Sequence, residues 1–121
     1  MPISKVLVVD DSPADLANIK NIVTEAGCMV VTAASGQEAI EKAKLEKPEL
    51  IFMDIIMPEM DGYATCRTLG QDDTTKDIPV VFVTSKNQKA DRIWAQMQGG
   101  KAFVNKPYSP DEIVDQLKAF S

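Results

Sequence analysis

A chain of 121 residues has room for one ordinary domain, and 45% hydrophobic with 26% charged residues is the composition of a soluble globular protein. Its 13 basic and 18 acidic residues leave a net charge of −5, which argues against nucleic-acid binding because an acidic surface repels phosphates. No apolar run approaches the ~20 residues of a membrane span and no signal or transit peptide precedes the first apolar run, so we expect a cytoplasmic protein without membrane insertion.

Five short apolar runs predict five β-strands. They lie at residues 5–10, 28–33, 49–54, 78–83 and 102–105, and helix-length segments separate them. The first, third and fourth runs are nearly continuous rather than alternating, which is typical of parallel strands that are covered on both faces.

The first helix has a complete start signal. Ser12 suits the N-cap, Pro13 suits the first helical position, Asp15 follows three residues after the cap, and Gly27 suits the end. Further helices are expected over residues 36–45, after Gly62, over residues 88–98 and over residues 109–120, where a second Ser-Pro pair begins the helix.

The alternation of strands and helices predicts an α/β fold. Repeated βα units form a parallel sheet with right-handed crossovers and helices on both faces. Five strands favour the flavodoxin-like, doubly wound (βα)5 arrangement with strand order 2-1-3-4-5. No GxGxxG motif follows the first strand, which argues against half of a six-stranded dinucleotide-binding fold.

Three aspartates are predicted to converge at one edge of this sheet. Asp10 and Asp11 end the first strand and Asp54 ends the third, and these strands are neighbours in the predicted order. Two unit charges about 4 Å apart repel by roughly 4 kcal/mol at an effective dielectric near 20. We expect this crowding to raise at least one carboxylate pKa and to be offset by a divalent cation. Oxygen ligands in a chain without histidine suit Mg²⁺, or Mn²⁺, better than zinc.

Two further strand ends supply a hydroxyl and an ammonium group. Thr84 follows the fourth apolar run and Lys106 follows the fifth. Taken singly, an acid or a threonine at a strand end is often a helix cap or turn residue, and a lysine is often a solvated surface residue. Together, a carboxylate nucleophile, a metal, a hydroxyl and a lysine are the groups that in-line phosphoryl transfer to an aspartate uses.

The sequence resembles the receiver domain of two-component response regulators over nearly its whole length. The resemblance rests on VLVVDDSP, LIFMDIIMPEMDG, VVFVTS and FVNKP, which occur in the family's order and spacing. The stretch DRIWAQMQGGKAFVNKP further resembles single-domain receivers of the chemotaxis-like system that controls twitching motility by type IV pili. We therefore interpret residues 1–121 as a single receiver domain without an effector domain.

The resemblance implies a role for each acidic residue. Asp54 would be the phosphoacceptor, taking a phosphoryl group from a sensor histidine kinase as an acyl phosphate. Asp11 and Asp54 would bind Mg²⁺ directly, the backbone carbonyl of Ile56 would be a further ligand, and Asp10 would act through water. The protein would be no enzyme in its own right, but a phosphoacceptor with self-phosphorylation and autodephosphorylation chemistry.

The resemblance also implies a phosphoryl clamp and a switch. Thr84 would hydrogen-bond the phosphoryl group, and Lys106, before a cis bond to Pro107, would pair with it. Phe103 occupies the family's switch-aromatic position, often a tyrosine, although simple packing beneath the fourth helix explains it equally well. Lys86 and the Ile56 side chain occupy positions that tune dephosphorylation, in a direction that the sequence leaves open.

The predicted fourth helix carries Ala90, Ile93, Trp94 and Met97 at helical spacing. Core packing is the first interpretation of such a stripe, and partner contact is the second. The expected docking surface for a downstream protein is the face between the fourth and fifth helices.

Together these features predict a phosphorelay response regulator that signals by protein contact, with a phosphate sink for a shared kinase as the alternative. A Mg²⁺-dependent phosphatase would need an acid where Ile56 stands, and a flavin carrier would need a Ser, Thr and Gly phosphate cradle where VDDSPAD stands. The complete set of site residues argues against an unphosphorylated scaffold.

Overall fold

The computed structural model describes residues 2–121 and shows five strands alternating with five helices. The strands are β1 (Lys5–Val9), β2 (Met29–Ala33), β3 (Leu50–Met53), β4 (Val80–Thr84) and β5 (Ala102–Asn105). The helices are α1 (Pro13–Glu25), α2 (Gly36–Glu46), α3 (Gly62–Gly70), α4 (Lys89–Met97) and α5 (Pro110–Ala119). The predicted bounds hold to within two residues. No helix in residues 2–121 has both the length and the apolar character needed to cross a membrane.

The strands form one parallel sheet in the order β2-β1-β3-β4-β5, which confirms the predicted flavodoxin-like topology. In the middle of the sheet Val8 pairs with Phe52 and Phe52 pairs with Val81. Every residue of β3 and β4 is buried, as expected of strands that are covered on both faces.

Two apolar layers cover the sheet. Because successive side chains of a strand point to opposite faces, one continuous apolar run supplies both layers. Leu7 and Val9 of β1 face α2, α3 and α4, whereas Val6 and Val8 face α1 and α5. The apolar runs of the sequence therefore specify a three-layer α/β/α domain.

The start of α1 matches the sequence prediction in its backbone but not in the role of Asp15. Ser12 is the N-cap, its hydroxyl accepts the backbone N–H of Asp15 at 3.4 Å, and Pro13 opens the helix. The Asp15 carboxylate does not bond to the cap residue and instead contacts Lys106. Ser109 likewise precedes Pro110 at the start of α5, but its side chain makes no capping hydrogen bond.

Core packing of Trp94 was the wrong first interpretation. Trp94 is 47% exposed and Met97 is 68% exposed, and α4 turns Ala95 into the core instead. The Trp94 ring lies edge-on against Tyr63 of α3, with ring centroids 6.4 Å apart. The apolar stripe of α4 therefore lies beside α3 and faces solvent, because the sheet is covered by the small side chain of Ala95.

Candidate functional site

The sheet ladder places two of the aspartates side by side. The backbone N–H of Asp10 donates to Ala33 at 3.1 Å and that of Asp54 donates to Val9 at 3.0 Å, so the parallel ladder continues past β1 and β3. Asp10 and Asp54 thus emerge at the carboxyl end of adjacent central strands, where ligands of this fold class bind.

Asp10, Asp11 and Asp54 form one carboxylate cluster. One oxygen from each lies within 4.8 Å of the other two. Asp10 and Asp54 are buried and Asp11 is exposed, so the cluster opens to solvent on one side. A set of oxygen donors with open positions fits Mg²⁺ or Mn²⁺, which bind through one or two carboxylates and keep several waters.

Hydrogen bonds orient the two buried carboxylates. Asp54 Oδ1 accepts the backbone N–H of Ile55 at 2.7 Å and is 3.4 Å from that of Ile56. Asp10 Oδ1 accepts the backbone N–H of Ser12 at 2.9 Å. Each carboxylate therefore keeps its second oxygen free for another partner. The Ile56 side chain is exposed in the loop after β3.

The Lys106 ammonium group contacts the second oxygen of each of these carboxylates. Its Nζ lies 2.8 Å from Asp10 Oδ2 and 3.3 Å from Asp54 Oδ2. The Lys106–Pro107 peptide bond is cis, as predicted. The ammonium group offsets part of the carboxylate repulsion, which the sequence prediction had assigned to a metal ion alone.

The ionisation of these groups follows from burial and contact. Burial raises the pKa of Asp10, and it outweighs the hydrogen bonds from Lys106 and from the backbone of Ser12, which lower it. A raised carboxylate pKa was predicted, but like-charge crowding by Asp54 is only a minor contributor. Burial lowers the pKa of Lys106, but its hydrogen bonds to Asp10 and Asp15, with the charge of Asp54, raise that pKa above its ordinary value.

Thr84 lies at the same edge of the sheet but outside the carboxylate cluster. It is buried at the end of β4 and pairs with Asn105 of β5. Its hydroxyl lies 3.4 Å from the backbone N–H of Lys86 and makes no hydrogen bond to the three aspartates within residues 2–121. The structure thus joins four of the predicted site residues directly and places Thr84 beside them.

Phe103 is held from the side of α4. It is half-buried in β5, and the Arg92 guanidinium lies 5.0 Å from its ring centroid. Arg92 also donates to Asn105 at 2.6 Å, and Asn105 donates to the Lys86 carbonyl at 2.5 Å. These contacts connect the loop after Thr84 with the aromatic side chain.

Asp15 is a member of the site that the sequence does not predict. Its carboxylate lies 2.9 Å from Lys106 Nζ. Sequence spacing offers no signal for this contact, because Asp15 lies in the first turn of α1 and Lys106 lies 91 residues further along the chain. The sequence assigned Asp15 only to the helix cap.

Comparison with known proteins identifies the family. Residues 6–118 match the response regulator receiver domain family. The chain is a response-regulator receiver domain. The strand order and the aspartate cluster at the carboxyl end of the central strands agree with this assignment.

Relatives of this receiver domain cover nearly its whole length. Protein PilH of Pseudomonas aeruginosa is 33% identical over 116 residues, which are 96% of this chain and 96% of PilH. Protein PilG of the same organism is 34% identical over 115 residues, 95% of this chain and 85% of PilG. The structure of the chemotaxis protein CheY4 of Vibrio cholerae matches with a TM-score of 0.92 and 27% identity, covering 98% of this chain and 99% of that one.

Proposed function

We propose that this receiver domain is a Mg²⁺-dependent phosphoacceptor switch in which a sensor histidine kinase phosphorylates Asp54. The observation that carries the proposal is the position of Asp54, which has two acidic neighbours within 4.8 Å and the Lys106 ammonium at 3.3 Å. A carboxylate nucleophile between a cation site and a lysine suits phosphoryl transfer, because both charges act on the equatorial oxygens of the transferred group.

In the proposed reaction an Asp54 carboxylate oxygen attacks the phosphorus of a phosphohistidine. The new O–P bond forms as the P–N bond breaks, which gives an acyl phosphate and returns the electron pair to the imidazole. Asp11, Asp54 and the Ile56 carbonyl would hold Mg²⁺, and Asp10 would contribute through water. The bound cation supplies charge neutralisation for the phosphoryl oxygens. Lys106 and the Thr84 hydroxyl would bind the phosphoryl oxygens.

The proposed output is a protein contact on the face between α4 and α5. Thr84 is linked to this face through Lys86, Asn105 and Arg92, and Phe103 lies within it. A change at the phosphoryl group therefore has a short path to the surface. Arg92 and Gln96 of α4 line a surface cavity together with Phe103 there.

We assign the receiver to a chemotaxis-like pathway, with twitching motility as the candidate process. The sequence resemblance of residues 91–107 supports this assignment. PilH and this chain also match over almost their full lengths. The structural neighbour CheY4 is itself a chemotaxis protein, which supports the same class of pathway.

Incubation with acetyl phosphate and Mg²⁺, followed by intact mass measurement, tests the central claim. The wild-type chain is expected to gain one phosphoryl group, and Asp54→Asn to gain none. Asp111→Asn, which removes an exposed acid in the first turn of α5, is the matched control and keeps the adduct. An adduct on Asp54→Asn, or none on the wild type, contradicts the proposal.

The same reaction separates a phosphoacceptor from a phosphatase. A switch that is phosphorylated once and slowly loses the group releases inorganic phosphate in step with its own dephosphorylation. Rapid multiple turnover of acetyl phosphate would instead indicate an enzyme, for which the exposed Ile56 offers no acid beside the nucleophile.

A further inference from the structure

Lys106 has a third carboxylate partner outside the proposed metal ligands. Lys106 Nζ lies 2.9 Å from Asp15 Oδ2, nearly as close as Asp10 at 2.8 Å and closer than Asp54 at 3.3 Å. The Lys106 side chain is largely buried and that of Asp15 is half-exposed. The ammonium group therefore bridges the acidic cluster and the first turn of α1.

The local structure leaves Asp15 free for this contact. In a capping box the third residue of the helix accepts the backbone N–H of the cap residue. Here the N–H of Ser12 donates to Asp10 at 2.9 Å instead, and Ser12 caps the helix only through its hydroxyl. The Asp15 carboxylate is consequently directed to Lys106.

A cavity gives the ammonium group room on the Asp15 side. It has a volume of about 400 Å³ and is lined by Asp15, Asn18, Ser85, Lys106, Pro107 and Tyr108. Two of these lining residues are joined, since the Tyr108 hydroxyl accepts a hydrogen bond from the Asn18 amide at 2.9 Å. Lys106 can thus move away from the cluster without losing an ionic partner.

We propose that Asp15 is a positioning residue that holds the Lys106 ammonium at the rim of the metal site, so that Mg²⁺ replaces it at Asp10 and Asp54. The inference rests on the proposed function, because it assumes a cation at the carboxylate cluster. A cation and the ammonium group compete for the same two carboxylates. Asp15 weakens that competition by offering Lys106 a carboxylate that the cation does not use.

A double-mutant cycle on Mg²⁺ affinity tests this role. Calorimetric titration with MgCl2 is carried out on the wild type, Asp15→Asn, Lys106→Ala and the double variant. Asp15→Asn is expected to raise the Mg²⁺ Kd about threefold to fivefold, as for the loss of one partly exposed ion pair, and to change it less than about twofold when Lys106 is absent.

Two results overturn the inference. An unchanged Kd in Asp15→Asn means that Asp15 does not influence the metal site. An equal fold-change with and without Lys106 means that Asp15 acts as a distant negative charge and not through the lysine. Lys106→Gln replaces Lys106→Ala if the alanine variant fails to fold.

Control variants separate the contact from the charge. Asp15→Glu keeps a carboxylate within reach and is expected to restore an affinity close to wild type, whereas failure of this rescue counts against the contact. Glu25→Gln removes one exposed acid at the other end of α1 and leaves the Kd unchanged. Absence of Mg²⁺ binding in the wild type refutes the proposed function together with this inference. Binding in the wild type with an unaltered Asp15→Asn refutes this inference alone.

Discussion

At the scale of single residues, the site sets four carboxylates, those of Asp10, Asp11, Asp15 and Asp54, against one ammonium group. Lys106 lies within 3.3 Å of both buried aspartates, so the metal-free cluster has part of its negative charge compensated. Asp11 is the exposed member and has no ion-pair partner within residues 2–121. We therefore expect a bound cation to interact most strongly with the Asp11 carboxylate and with the oxygens of Asp10 and Asp54 that Lys106 releases.

Mg²⁺ is expected to raise the melting temperature of the wild type and to raise that of Asp11→Ala much less. The reason is that a ligand bound only by the folded state stabilises it in proportion to its occupancy. Differential scanning calorimetry with and without MgCl2 measures the shift. Glu25→Ala, an exposed acid far from the cluster, is the control and responds like the wild type. Equal responses in wild type and Asp11→Ala would remove Asp11 from the site.

As the pH falls from about 4 to about 2, we expect the free energy of unfolding to decrease, partly because Asp72 becomes protonated. Hydrogen bonds from the Thr74 hydroxyl and backbone, together with Lys44, lower the pKa of Asp72 to about 2. A lowered folded-state pKa stabilises the fold above the ordinary value of 3.8 and loses that contribution as the pH falls. In Asp72→Asn, urea unfolding should show a smaller decrease of the unfolding free energy at acid pH than in the wild type. Asp73→Asn, which also removes one negative charge, is the matched control. An equally large decrease in Asp72→Asn would contradict this assignment.

At the scale of secondary-structure elements, the start of α3 is fixed by close backbone contacts with the end of β3 and the loop after it. Gly62 begins α3, and its N–H donates to the Ile55 carbonyl at 2.8 Å. A Cβ on Gly62 would overlap the Asp54 carbonyl oxygen and lie 2.8 Å from Ile55 Cα. The start of α3 therefore rests directly on the loop that carries the phosphoacceptor.

Gly62→Ala is expected to destabilise the fold by about 1–3 kcal/mol, because backbone and not a flexible side chain must move. It should also reduce the Mg²⁺-dependent rise in melting temperature, since the loop after Asp54 shifts. Gly70→Ala is the matched control at the other end of α3, where a Cβ meets nothing within 4 Å. Urea unfolding measures both, and similar effects for the two variants would show that backbone contact at Gly62 is unimportant.

At the scale of the whole molecule, the two faces of the sheet carry separate apolar layers and the site lies at one edge between them. Phe82 lies in the layer beneath α2, α3 and α4, in edge-on contact with Tyr63, with ring centroids 5.6 Å apart. Trp94 contacts the same Tyr63 from outside and remains exposed. One aromatic chain thus runs from the core to the surface of α4.

Phe82→Ala is expected to cost about 3–5 kcal/mol of unfolding free energy, and Trp94→Ala about 1 kcal/mol. The difference arises because the first leaves a cavity between sheet and helices and the second removes an exposed edge contact. Urea unfolding compares the two variants, and acrylamide quenching of the wild type checks that the Trp94 indole is accessible. A Trp94→Ala cost as large as that of Phe82→Ala would place Trp94 in the core after all.

The sequence alone predicted the architecture and the place where the three aspartates meet. Continuous apolar runs required a parallel sheet, and strand order then brought Asp10, Asp11 and Asp54 to one edge. These predictions succeed because strand ends are positioned by the backbone ladder, which depends on local pattern and topology and little on side-chain detail.

Only the tertiary structure decided which side chains complete the site and which face outward. The pairing of Lys106 with Asp15 depends on how α1 approaches β5, and the exposure of Trp94 depends on which side of α4 covers the sheet. Helical spacing shows that residues share a face but not what that face contacts. Long side chains such as Lys106 and Arg92 can reach groups on several elements. Packing and the local balance of charge determine which of these groups they contact.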